Sequence, residues 1–153
     1  MYEVRAPLEI ELPSILIIGQ QLHKVSAYSH MDFDKGKMLS SLSHSLEHPD
    51  RFFLQVILEK THGTVVGVVW CMLQDNYFGS DYVASDLLVL ISEEHRGPSF
   101  PALQRSVADY RKWAVERNAR RIFLSTTTGI EPEKTEKMYE YLGFRRVGTI
   151  HEA

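Results

Sequence analysis

The sequence, residues 1–153, predicts one mixed α+β domain in which helices precede a meander of strands and a long helix then alternates with the closing strands. Three observations predict it. Arg51–Glu59, Thr64–Leu73 and Leu87–Ile91 are apolar or alternating runs of strand length. Beyond them, Leu103, Val107, Tyr110 and Ala114 recur at helical spacing on one face. Between the last strand and that helix, Arg96 to Pro101 is a breaker cluster, so strand, tight turn and helix follow directly on one another.

In chain order, Val4–Ala6 reads as a short first strand ended by Pro7. Leu12, Ile15, Leu16 and Leu22 predict a first helix within Leu8–Lys24, with Pro13 limiting its start and Gly19 a point where it breaks. Met38, Leu39, Leu42 and Leu46 predict a second helix that stops before Pro49. Two antiparallel strands then join through Thr61-His62-Gly63, and Gln74–Tyr82 is a loop rich in Asp, Asn and Gly. The third helix spans about Phe100–Asn118, with Ser99 as its N-cap and Pro101 tolerated in its first turn. Arg121–Ser125 is a further strand. A fourth helix begins near Pro132 and is capped by Gly143, and Phe144–Ile150 is expected to close the chain as a last strand.

Composition excludes several classes. Apolar residues make up 44% and charged ones 24%, values of an ordinary globular chain rather than of disorder or a fibre. A net charge of -3 with no Lys/Arg stripe argues against nucleic-acid binding. The longest N-terminal apolar run, Ile15–Ile18, is far short of a signal peptide or a membrane span, and the chain reads as soluble, intracellular and cytoplasmic. Cys71 is the sole cysteine and lies in an apolar run, so it is expected as a buried, inert thiol.

The junction after Ile91 directs helix N-terminal N–H groups and a positive dipole end toward one spot, a seat for phosphate. Asp86 opens a strand otherwise made of Leu, Val and Ile, where an unpaired carboxylate is costly to bury; it either faces a wet cleft or caps a turn. Ser85 lies on the opposite face. Tyr77, Phe78 and Tyr82, beside Asp75 and Asp81, form an aromatic and acidic loop suited to a cationic amine, or a solvated turn. His44-Ser45-Leu46-Glu47-His48 has the spacing of a zinc-hydrolase motif, but His48 directly precedes Pro49 and no third ligand follows, so a polar helix face is preferred and no metal is assigned.

Two motifs carry a resemblance. Ile91 and Arg96 fall on fixed positions of the strand-four signature of the GNAT acetyltransferases, with Ser99 and Pro101 on its two small-residue positions. Tyr139-Glu140-Tyr141-Leu142-Gly143-Phe144 closely resembles the ending of the same family's fourth helix, and the order of elements over about residues 51–150 agrees. The resemblance implies a central, mostly antiparallel twisted sheet of about six to seven strands flanked by about four helices, with splayed strands forming an acetyl-CoA cleft. It implies acetyl transfer from acetyl-CoA to a primary amine on a small molecule or peptide; homodimers are common with this fold. Val89, Leu90 and Ile91 are then set beside the pantetheine arm, and Arg96, Gly97, Ser99 and Phe100 beside the pyrophosphate. Tyr139 becomes the general acid, where otherwise it is a core tyrosine with a satisfied hydroxyl. Asp86 becomes the base or amine anchor, and Tyr77, Phe78 and Tyr82 become acceptor contacts. Pro98 and Pro101 lack N–H donors, which leaves open the alternative of a binding or accessory protein with weak or lost acetyl-CoA use.

Overall fold

A computed structural model describes residues 1–153. Its five strands form one sheet in chain order: β1 (Tyr2–Arg5), β2 (Phe52–Glu59), β3 (Thr64–Asp75), β4 (Tyr82–Ile91) and β5 (Ala119–Ile122). The first three pairings are antiparallel and the last, β4 with β5, is parallel. The four helices are α1 (Leu12–Val25), α2 (Lys35–Glu47), α3 (Phe100–Glu116) and α4 (Pro132–Tyr141). No helix is long and apolar enough to cross a membrane.

Each face of the sheet carries its own core. On one, Leu12, Ile15 and Ile18 of α1 and Leu42 of α2 pack on Leu54, Val56, Val68 and Leu90. On the other, Leu103, Val107, Tyr110 and Ala114 of α3, with Tyr139 and Leu142 of α4, pack on Ile57, Val69, Cys71 and Ala84. The helical spacing in α3 is thus its buried stripe. Gly19 does not break α1: a Cβ there would stand 2.9 Å from Met38 Cε, so its absence lets α1 and α2 approach closely. Asp34 caps α2 by accepting from the Lys37 amide at 2.9 Å.

The strand count is five, not six to seven. Phe144–Ile150 forms no strand, and the reason lies in its pattern. Phe144, Val147 and Ile150 recur every third residue, so neither face of an extended segment would be continuously apolar, and Val147 and Ile150 are exposed. The strand expected at Arg121–Ser125 lies instead at Ala119–Ile122.

The end of α4 explains its motif. Gly143 has φ +90°, its N–H donates to Glu140 O at 3.0 Å, and the Phe144 N–H donates to Tyr139 O at 2.9 Å. That is a Schellman cap, with the Phe144 ring returning to pack on Tyr139, so the motif locks the tyrosine's backbone and one side of its ring. Gly143→Ala places a Cβ in a left-handed conformation and 3.1 Å from Arg111 Nη1. It is expected to destabilise the fold by about 1–2 kcal/mol, measured as a shifted urea midpoint with an unchanged slope.

Candidate active site

The site originates in a bulge. β4 pairs with β3 as Cys71↔Asp86 and then Trp70↔Leu88, leaving Leu87 as an extra residue. One inserted residue exchanges the faces of everything after it. Ala84 and Asp86 share the α3–α4 face, but beyond the bulge it is Val89 and Ile91 that turn that way, while Leu88 and Leu90 turn to α1 and α2. β5 leaves β4 before the bulge is reached. Their ladder ends at Ala84↔Ile122, and the next residue pairs outward only through the Phe123 N–H on Ala84 O at 2.8 Å. Beyond it, β4 runs on to Ile91 with one edge free.

A cleft of about 550 Å³ opens where the strands part. At its apex three residues form a polar chain. The Tyr139 hydroxyl donates to Ser125 O at 3.1 Å, and the Ser125 hydroxyl donates to Asp86 Oδ2 at 3.0 Å. Burial holds the Asp86 carboxyl above its ordinary value, against the lowering influence of the Ser125 hydrogen bonds. Burial, then the neighbouring Asp86 and Cys71, pushes Tyr139 well above an ordinary phenol, so it stays protonated through the physiological range. Cys71 is fully buried and its thiol is likewise raised by burial, which keeps it inert.

The sequence-derived residues separate into two groups. Asp86, Val89, Leu90, Ile91, Arg96 and Tyr139 all line the cleft. Gly97, Ser99 and Phe100 do not. The Ser99 side chain is fully buried and donates back to His95 O at 2.6 Å instead of capping α3, and Phe100 packs edge-on against Tyr141. Tyr77, Phe78 and Tyr82 also lie outside the cleft: Tyr77 and Phe78 project into solvent from the β3–β4 loop, and Tyr82 lies under Arg51. His44 and His48 stack with centroids 4.1 Å apart, and His48 Nδ1 lies 2.8 Å from His44 O. No group of three His, Cys, Asp or Glu side chains is placed to hold a metal ion.

Other lining residues carry no sequence signal. Ser125 ends the strand expected from the sequence, with nothing to mark it as the bridge between acid and base. The segment 126–134 closes one wall, and within it Glu131 sits at φ 41°, ψ 53° at the start of α4. Its carboxylate reaches Lys134 Nζ at 2.6 Å and Arg96 Nη1 at 3.7 Å.

The cleft suits a pantetheine arm: a narrow apolar channel beside an unpaired strand edge, which offers main-chain hydrogen bonds. The Arg96 end of the cleft is leaner in donors. Pro98 and Pro101 bring no N–H, and the Arg96, Ser99 and Phe100 amides are spent on Glu93, His95 and Gly97 carbonyls. What remains is the Gly97 N–H and the Arg96 guanidinium, whose Nε already donates to Ile91 O at 3.2 Å.

No protein-family model matches the chain, and a search of curated proteins finds no match. Solved structures do match. Glucosamine-6-phosphate N-acetyltransferase from Arabidopsis thaliana superposes with a TM-score of 0.76 at 12% identity, over 100% of this chain and 97% of that one. An aminoglycoside acetyltransferase, AAC(6')-Iy, bound to a CoA-linked bisubstrate analogue, gives 0.77 at 14% identity, over 100% and 97%. The fold is that of the GNAT acetyltransferases. The aminoglycoside 6'-N-acetyltransferase AAC(6')-Ih of Acinetobacter baumannii is similar over 100% of this chain and 99% of that one, with a TM-score of 0.71 at 13% identity. At such identities the likeness is one of fold, and within the GNAT fold the apex residues of this chain must carry any chemistry themselves.

Proposed function

We propose that this protein transfers an acetyl group from acetyl-CoA to a primary amine. The observation that carries the reading is the Asp86–Ser125–Tyr139 chain at the apex of the parted strands, which sets a half-buried carboxylate and a protonated phenol on one cleft. Acetyl-CoA supplies the acyl group: the amine nitrogen bonds to the thioester carbon, the C–S bond breaks, and the sulfur leaves with a proton. Asp86, whose carboxyl burial makes a better proton acceptor than an ordinary carboxylate, accepts or anchors the ammonium proton so that a neutral amine is presented. Tyr139, its hydroxyl turning from Ser125 O, provides the proton that leaves with the sulfur. The free edge of β4 orients the arm, and Arg96 with the Gly97 N–H holds the phosphates.

The test is amine-dependent release of free thiol from acetyl-CoA by the purified protein. Release that is saturable in both components supports the reading. Acetyl-CoA binding with no release under any amine supports the second reading, an accessory protein, which the proline-bearing turn favours.

The Arg96–Glu131 pair gives a separate expectation. A pyrophosphate must draw Arg96 and Lys134 from Glu131, whose carboxylate both cations hold below its ordinary value. Glu131→Gln should therefore tighten acetyl-CoA binding by about two- to fivefold at low salt, with the gain shrinking as salt rises. Calorimetry at two ionic strengths measures it.

A further inference from the structure

The cleft has two differently built sides. Four of its lining side chains are formally charged: Asp86 at the apex, and Arg96, Glu131 and Lys134 where α3 and α4 meet the end of β4. The cations belong with phosphates, so the α1–α2 side is left for the acceptor. That side is apolar and ring-lined: Leu22, Phe33, Met38, Trp70 and Leu88, together with His23. Two of its hydroxyls are engaged with the protein's own chain, Ser26 donating to His23 O at 3.0 Å and Thr128 accepting from the Ile130 amide at 3.3 Å. The Trp70 indole N–H is likewise spent, on the Ser45 hydroxyl at 2.9 Å.

One buried polar atom there is unspent. His23 Nε2 is buried without a hydrogen-bond partner, the sole buried side-chain nitrogen or oxygen in the protein of which this is true. Buried polar atoms are nearly always satisfied, so an unsatisfied one on a residue that lines a cleft calls for a partner. The His23 ring is held in place against Phe33, with centroids 5.2 Å apart.

We infer that the acceptor is a primary amine borne on a flat apolar body, of aromatic-ring size, that carries one hydrogen-bonding group received by His23. The inference rests on the transferase reading above and narrows it. A polycationic aminoglycoside finds no row of carboxylates on this side, and a sugar phosphate finds no cation there. His23 acts as a specificity residue, rewarding a hydroxyl or amide at the far end of the acceptor from its amine.

The experiment compares tyramine, phenethylamine, kanamycin and glucosamine 6-phosphate as acceptors for wild type, His23→Leu and His23→Gln, with tyramine binding followed separately by calorimetry. Both aromatic amines should exceed the two polar amines in kcat/KM by about tenfold or more. His23→Leu should raise the KM for tyramine about tenfold and leave phenethylamine within about twofold, and His23→Gln should recover part of the loss. A merely structural histidine would affect both aromatic amines alike, and that result overturns the inference. So does preference for kanamycin or glucosamine 6-phosphate, which would leave the transferase reading standing. Tyramine binding that His23→Leu abolishes, without thiol release by wild type, would keep the aromatic-amine site and remove the transferase reading. If wild type neither binds nor turns over tyramine, the inference falls, whatever the polar amines do.

Discussion

Tyr139→Phe is expected to lower kcat by about a hundredfold while changing the KM for acetyl-CoA little. The hydroxyl is the one proton donor aimed into the apex from α4, and its removal leaves the ring seated between the core and Phe144. The lost hydrogen bond to Ser125 O is worth about 0.5–1.5 kcal/mol, so the fold survives and a small change in melting temperature accompanies a large change in rate. Because burial holds the phenol far above neutrality, the wild type should show no alkaline limb from this group, and the ratio of wild-type to variant rates should stay flat with pH. Stopped-assay kinetics across pH 6–9 (about the usual working range) check both points.

Asp86→Asn is the second large effect. If the carboxylate accepts the ammonium proton, kcat/KM falls by about 10²–10³-fold at neutral pH. The deficit narrows as pH rises and the amine deprotonates unaided, a trend Tyr139→Phe does not share. Stability should move the other way. Burial raises the carboxyl in the folded state above its unfolded value, so the folded protein prefers it protonated. That contribution is fully present below the ordinary carboxylate value and is lost as pH climbs through the raised one. Above the raised value the charge is a burden that Asn lifts, and Asp86→Asn should melt no lower than wild type there, its advantage vanishing in acid. A group that lowers stability where it raises rate is the usual mark of a working site.

Both residues line the cleft, and the amino-acid sequence singles them out for different reasons. Tyr139 stands out through the helix-ending motif, whose Gly143 and Phe144 form the cap that fixes it. Asp86 stands out as a charge in an apolar run. The main elements follow from periodicity because burial on a single face enforces it, as along Leu103, Val107, Tyr110 and Ala114.

What is not legible depends on register and on distance. The bulge at Leu87 inverts which of Leu88 to Ile91 face α3, and no residue type announces it. Ser99 is expected at the phosphates, but a small hydroxyl beside a carbonyl four residues back is satisfied locally, and there it is buried. Tyr77 and Phe78 are expected at the acceptor; the β3–β4 loop carries them away from the cleft, with both rings in solvent. Phe144–Ile150 is expected as a strand on the strength of its position in the chain, although its apolar residues lack a period of two. His23 lies in α1, far along the chain from β4, and only its unspent nitrogen distinguishes it from any polar helix residue.

The central claim is that the parted strands and Arg96 still hold acetyl-CoA despite Pro98, Ser99 and Pro101. Calorimetric titration of acetyl-CoA into wild type and Arg96→Ala tests it most directly. The account predicts one-site binding by wild type in the micromolar range, weakened about tenfold by the substitution, since one charge-assisted contact to phosphate is worth about 1.5–3 kcal/mol. No heat and no thermal stabilisation of wild type by millimolar acetyl-CoA (a concentration near the weakest useful affinity, about 1 mM) would contradict it.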